Sequence, residues 1–262
     1  MTPVAPARQV MDPDAPFGQR GRVAVVTGAG SPTGIGLATA RLLGRLGAAV
    51  VLTATTDRVH ERVASLRAEG VDASAVVGDL TRPEDADALV AACLERHGRL
   101  DVLVNNAGMV SAAELDALGG DLEATDPDRW RRSMARNLDT AYLVTRAALP
   151  ALRASGAARV VLVSSVTGPV MAMRSEVAYA TAKAGLVGLA RALAVDEGRR
   201  GVTVNTVAPG WVATGSQAPD EAREAAATPL GRSGTPQEVA AAVAFLASPE
   251  AAYVTGQVLV VD

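Results

Sequence analysis

The sequence predicts a single-domain α/β fold, a doubly wound parallel sheet of about seven strands with helices on both faces. Three observations predict it. Short valine-rich runs alternate with longer stretches of helical periodicity from residue 21 to residue 262. The runs are apolar throughout, as expected of strands covered on both sides. Each interval also leaves room for a crossover helix, so right-handed βαβ units and a parallel sheet follow. The chain of 262 residues suits one α/β domain, a class that reaches roughly 250 residues as a single unit. With 49% hydrophobic and 20% charged residues it can bury a sizeable core, which excludes wholesale disorder.

The elements follow in order. A first strand, Val23–Thr27, enters a glycine-rich turn and the helix Ile35–Leu46. The second strand, Val50–Thr53, leads to the helix Arg58–Glu69, which Gly70 ends. The third, Ala75–Val77, leads to the helix Pro83–His97, which Gly98 ends. After the fourth strand, Val102–Asn105, the pair Asp126-Pro127 starts a long helix over Pro127–Arg153, with a capping residue before proline at the first helical position. The fifth strand, Val160–Val163, precedes the helix Ala178–Arg199, with Gly201 past its end. The sixth, Thr203–Val207, precedes the helix Pro236–Ala247, started by Thr235. The seventh is Val258–Val261. Met109–Thr125 and Ala208–Gly234 show no clear element, and loops of that length in a compact fold are usually functional. Residues 1–20, with four prolines, read as a disordered N-terminal extension.

Composition excludes several function classes. A net charge of −3 and a pI of about 5.5 favour neither nucleic acid nor an anionic membrane as partner. Cys93 is alone, which rules out an internal disulfide framework and a cysteine zinc site. His60 and His97 lack ligand spacing, so no metal is expected. No uncharged apolar run reaches the ~18 residues of a membrane helix, and no secretory h-region is present. The expected location is cytoplasmic.

Between the first strand and first helix stands Thr27-Gly28-Ala29-Gly30-Ser31-Pro32-Thr33-Gly34-Ile35-Gly36. Glycines there let the backbone approach a pyrophosphate, and the free N–H groups of the helix start attract its charge. Gly28, Ser31, Thr33, Gly34, Ile35 and Gly36 are the candidate contacts of a dinucleotide in this Rossmann-type unit. NAD-binding chains usually end the second strand with an acid that holds the ribose 2′-hydroxyl. Here Ala54 occupies that place, and Asp57 reads as a helix cap. Thr55, Thr56 and Arg58 could bond a 2′-phosphate, so NADP(H) is favoured over NAD(H), with NAD(H) as the alternative.

Tyr179 and Lys183 stand at i and i+4 on one helical face. Lys183 is the sole lysine among 25 basic residues. A phenol ordinarily titrates near 10, too high for proton exchange at neutral pH, and a nearby ammonium favours phenolate. Tyr179 then serves as general acid or base for a carbonyl–alcohol pair. Ser165, at the carboxyl end of the fifth strand, would bond the same substrate oxygen; it is preferred to Ser164.

On these motifs the chain resembles the classical short-chain dehydrogenase/reductase family over roughly residues 21–262, closest in detail to the branch of β-ketoacyl-carrier-protein reductases and related carbonyl reductases. The resemblance implies that residues 21–262 form one dinucleotide-binding and catalytic domain. It implies roles for Asp79, with Leu80, at the adenine, for Asn106, Ala107 and Gly108 closing the fourth strand, and for Pro209, Gly210, Val212 and Thr214 at the nicotinamide carboxamide. It makes Asn137 the fourth catalytic residue, holding a water linked to Lys183, and it adds Tyr179 and Lys183 to the cofactor contacts. It also implies a homotetramer or homodimer built from the two long helices and the last strand. Three departures stand out. The glycine turn is two residues longer than usual, the Ser165–Tyr179 interval is one residue longer, and relatives commonly continue past Val261-Asp262.

The substrate expected is a ketone or secondary alcohol with an apolar flank, not a sugar or charged acid, lined by Met109, Val166, Met171, Met173 and Trp211. A carrier-bound β-keto thioester is the alternative, with acyl carrier protein as partner. In the resembling reductases two arginines flank the entrance; here the matching positions are Arg200 and Gly156, with Arg153, Arg159 and Arg199 near in sequence. A non-catalytic nucleotide-binding regulator should have lost part of the tetrad, and an enoyl reductase needs a wider tyrosine–lysine interval.

Overall fold

The computed structural model describes residues 16–108, 120–217 and 219–262. Seven parallel strands form one sheet in the order β3-β2-β1-β4-β5-β6-β7. They are β1 (Val23–Val26), β2 (Ala49–Ala54), β3 (Ala73–Val77), β4 (Val102–Asn105), β5 (Arg159–Val163), β6 (Thr203–Pro209) and β7 (Val258–Val261). β1, β4 and β5 are buried along their whole length, as their mostly apolar sequences suggest; Asn105 and Arg159 are the polar residues at the ends of β4 and β5. The order reverses between β1 and β4, which opens a crevice at their carboxyl ends, the place where open α/β sheets bind ligands.

Helices α1 (Ile35–Arg45), α2 (Arg58–Ala68) and α8 (Pro236–Ala247) cover one face; α3 (Pro83–His97), α5 (Thr140–Ser155) and α6 (Val177–Glu197) cover the other. Two separate cores result, one per face. Part of the small-residue face of α6 packs inside the protomer. Ala182, Leu186 and Ala190 are buried, and a Cβ on Gly185 would come within 2.9 Å of Leu138.

Three expectations change. The long helix expected over 127–153 is two helices, α4 (Pro127–Met134) and α5, joined by a π-helical turn at Ala135–Asp139. The stretch after β6 holds a short helix, α7 (Pro219–Ala225). The N-terminal boundary at residue 20 moves inward. Gln19 is fully buried and donates to the Ala247 carbonyl, and Phe17 meets Phe245 edge to face at 6.2 Å. Residues 16–20 thus close the bottom of the fold; residues 1–15 lie outside the described residues. Among the described residues no helix is long and apolar enough to cross a membrane.

Candidate active site

The glycine turn is pinned to the end of β4. The Thr27 hydroxyl accepts the backbone N–H groups of Asn106 and Ala107 at 2.9 Å, and Asn106 Nδ2 donates back to the carbonyls of Thr27 and Gly28. Gly28 has φ +67°, and a Cβ there would stand 2.8 Å from Ala107 Cα. A Cβ on Gly36 would stand 2.6 Å from Asn106 Nδ2. These side-chain-free positions let the turn pack closely on the end of β4 beside the N-terminus of α1, where backbone N–H groups could meet an anion such as a pyrophosphate. Gly34 caps α1 without a side chain. The extra residues of the turn have a structural use: Thr33 Oγ1 accepts the N–H of Gly215 at 2.8 Å, which ties the turn to the segment after β6. Thr27 was not among the residues singled out from sequence, although its place ahead of the first glycine held the signal.

At the adenosine end, Ala54 is buried and Thr55 is exposed. The guanidinium of Arg58 lies over the turn, its Nε 2.8 Å from where a Gly30 Cβ would be. Arg58 is exposed and follows directly on the segment 55–57, so a 2′-phosphate at the end of β2 would meet a cation. Asp57 makes no capping bond, contrary to expectation; its carboxylate points to solvent with His60 4.0 Å away. The Asp79 carboxylate accepts from the backbone and hydroxyl of Thr81, while the Leu80 side chain is buried in the core, so Leu80 can offer a ligand little beyond its backbone.

Four residues of the expected tetrad converge on one cavity: Asn137, Ser165, Tyr179 and Lys183. Ile35, Asn106, Pro209, Gly210, Val212 and Thr214 line it as well, so the turn side and the β6 side share a wall with the tetrad. The other cofactor candidates, Gly28, Ser31, Thr33, Gly34, Gly36, Ala107 and Gly108 among them, do not line this cavity and follow the strand ends beyond it. Asn137 stands in the π-turn, a device common at functional sites. Its Nδ2 donates to the Ser133 carbonyl, and its buried Oδ1 has no partner. Gly108, at φ +134°, lets the end of β4 pass that side chain, since a Cβ would stand 3.3 Å from Oδ1. Both serines line this cavity but make different bonds. Ser164 is buried and donates to the Lys183 carbonyl at 2.8 Å, which fastens α6 to β5; Ser165 faces the cavity and bonds Tyr179.

Lys183 Nζ donates to the Val163 carbonyl at 3.1 Å and lies 5.6 Å from the centroid of the Tyr179 ring. The expectation that this ammonium draws the phenol's pKa down is reversed. Burial pushes Tyr179 up to about 12; its bond with Ser165 opposes the rise, and Glu176 and Glu221 add to it. Burial likewise lowers Lys183 to about 8. The amine sits beneath the ring and its bond goes to a carbonyl, so desolvation outweighs attraction.

Two acids in this cavity escaped sequence reasoning, Glu176 and Glu221. Glu176 lies three residues before Tyr179, at the start of α6, and burial together with Glu221 holds its carboxyl above the usual range. Helical spacing from Tyr179 could have found it; Glu221 depends on where α7 folds. Met173 and Trp211 line the cavity as expected; Val166 and Met171 line an adjoining one with Glu224 and Asp262. Met109 lies outside the described residues. The arginines considered for a carrier protein are elsewhere. Arg153 and Arg200 pair with Glu197 at the far end of α6, about 27 Å along the helix from Tyr179. Arg159 is buried, donating to the carbonyls of Ser248, Ala157 and Ala158, so it is no surface charge.

Comparisons with known proteins agree with this architecture. A family model described as enoyl-(acyl carrier protein) reductase matches residues 28–262. The 3-oxoacyl-[acyl-carrier-protein] reductase FabG of Vibrio cholerae is 39% identical over 92% of this chain and 96% of its own length. A cis-4-hydroxycyclohexanecarboxylate dehydrogenase of Sinomonas cyclohexanicum is 42% identical over 92% of the chain and 95% of its own. Among solved structures, a Beutenbergia cavernae protein provisionally assigned as an NAD(P)-dependent gluconate 5-dehydrogenase, with NADP bound at low occupancy, superposes with a TM-score of 0.85 at 41% identity. That match covers 94% of this chain and 97% of the other.

Proposed function

Starting from the fact that this chain belongs to the classical short-chain dehydrogenase/reductase family, and is therefore an NAD(P)-dependent oxidoreductase, we propose that it interconverts a ketone and a secondary alcohol, with Tyr179 as proton donor and acceptor. One observation carries the reading: Tyr179, Ser165, Lys183 and the unpartnered Asn137 Oδ1 share a cavity that also reaches the glycine turn and the end of β6. The dinucleotide, when bound, supplies or accepts the hydride. The chain's residues handle the rest. At neutral pH the Tyr179 hydroxyl is protonated and ready to be given to a carbonyl oxygen. Ser165, bonded to that hydroxyl, is placed to donate to the same oxygen as charge develops on it. The Lys183 ammonium beneath the ring stabilises phenolate as it forms. Asn137 Oδ1 offers an acceptor to a water that returns the proton.

The backbone cradle and the exposed Arg58 fit a dinucleotide that carries a 2′-phosphate, so NADP(H) is the preferred cofactor. A Michaelis constant lower for NADH than for NADPH would refute that preference. A small carbonyl substrate with an apolar flank against Met173 and Trp211 is favoured over a carrier-bound thioester, because among the described residues no arginine lines either cavity. A homotetramer or homodimer is supported by the exposed Leu259 and Val260 of the edge strand β7.

The test follows loss of reduced nicotinamide against a panel of ketones. Tyr179→Phe should lower kcat/KM by about 10²–10⁴-fold while the dinucleotide still binds. An active Tyr179→Phe variant, or a wild type inert toward every ketone and alcohol, would overturn the reading.

A further inference from the structure

The polar wall of the catalytic cavity is short of donors. The carboxylate of Glu176, half-buried and facing that cavity, has no hydrogen-bond or ion-pair partner among the described residues. The buried Oδ1 of Asn137 in the same cavity is an unpartnered acceptor too, and Glu221 lines the wall beside them. Glu224 and Asp262 line the adjoining cavity, which shares Ser165 and Trp211. The single cation among the lining residues is Lys183, whose amine is already bonded to the Val163 carbonyl and covered by the Tyr179 ring. Residues 109–119, outside the described residues, bring no lysine or arginine in their sequence. A half-buried carboxylate left without a partner costs free energy, and such costs persist where a ligand supplies the missing partner.

We infer that Glu176 binds the substrate, and that the cleft selects ketones and alcohols carrying a second group that donates hydrogen bonds, an ammonium above a hydroxyl, while turning away those carrying carboxylate or phosphate. The inference rests on the oxidoreductase reading of the same site and narrows it. The apolar flank against Met173 and Trp211 remains; the donor is carried on an arm that reaches Glu176. A charge-assisted bond to a carboxylate is about twice as strong as a neutral one, which sets ammonium above hydroxyl. A carboxylate on that arm meets the like charge of Glu176 in a partly buried site, which sets it last. A phosphate-linked carrier arm falls in the same rejected class.

The experiment uses four secondary alcohols on one apolar skeleton, with a side arm ending in ammonium, hydroxyl, methyl or carboxylate. The wild type should rank them in that order by kcat/KM. Glu176→Gln should lower kcat/KM for the ammonium substrate by about tenfold or more, raise it for the carboxylate, and leave the methyl substrate within about threefold. A Glu176 that merely shapes the helix start would change all four by one factor. If the wild type oxidises none of the four with either nicotinamide cofactor, the oxidoreductase reading itself fails. If it oxidises the methyl substrate in a Tyr179-dependent way but handles carboxylate as well as ammonium, or if Glu176→Gln moves all four alike, that reading stands and the role of Glu176 is overturned. Should Glu176→Gln fail to fold, the wild-type ranking alone decides.

Discussion

Lys183 shows how a single residue sets function against stability. Burial lowers its pKa from 10.5 to about 8, so the folded protein releases this proton more readily than the unfolded chain does. Below about pH 8 both states carry the charge, and the full cost of burying it is present. Between about pH 8 and 10.5 the unfolded chain binds more protons, so this group's contribution to stability rises with pH. Lys183→Met removes the charge at similar length. It should raise stability at pH 7 by on the order of 2–3 kcal/mol, flatten that rise and abolish turnover. Denaturant titrations of both proteins at pH 7 and 9.5 check this; an equal or lower stability for Lys183→Met at pH 7 would refute it. The pair Tyr179 and Lys183 was legible in the sequence because the chemistry demands one helical turn between them. The preference for Ser165 over Ser164 was made from sequence; the structure adds what each serine bonds, Ser164 the Lys183 carbonyl and Ser165 the Tyr179 hydroxyl. Glu176 was missed although its spacing from Tyr179 carried a signal, because a glutamate ahead of a helix reads as a solvated acid.

At the scale of elements, the glycine turn and the end of β4 behave as one unit, joined by Thr27 and Asn106. Gly28→Ala places a Cβ 2.8 Å from the backbone of Ala107 in a left-handed conformation, and backbone cannot step aside cheaply. It should raise the Michaelis constant for the dinucleotide about tenfold or more and cost about 1–3 kcal/mol of stability. Gly70→Ala is the matched control: φ is +84° but no atom lies within 4 Å, so only the strain remains and cofactor affinity should not move. If both variants bind the dinucleotide like the wild type, the turn is not its cradle. The strands and most helices were readable because buried parallel strands are apolar throughout and glycine or capped proline marks the helix ends. The π-turn at Ala135–Asp139 was not, since nothing in a continuous helical pattern marks one inserted residue. α7 escaped because it spans only seven residues, Pro219–Ala225.

For the whole molecule, the two edges of the sheet divide the work. The carboxyl ends of the strands carry the cavity; the amino ends carry a buried ionic knot. Arg22 is 5% exposed, and its guanidinium donates to Gln19 Oε1 at 2.7 Å, to the Ala247 carbonyl at 2.6 Å, and to the carbonyls of Asp101 and Ala157. Burial and neighbouring Arg159 lower its pKa to about 10, so it stays cationic at neutral pH. Asp101 is held by Arg99, Ser155 and the N–H of Val23. One arginine thus links the start of β1 to the loops before β4 and β5 and to the end of α8. Nothing local in the sequence marks this arginine, because its partners lie as far as 225 residues away. Arg22→Ala removes four guanidinium hydrogen bonds from a buried site and should cost about 3–5 kcal/mol. Arg22→Lys should recover only part, since an ammonium cannot span four acceptors in one plane. The folded fraction of either variant should keep its kcat, because the knot lies at the sheet edge opposite the cavity. Denaturant midpoints measured alongside turnover per folded molecule decide the matter. A loss under about 1 kcal/mol, or a fall in kcat with stability intact, would mean that the two edges are not independent and that this knot reaches the chemistry.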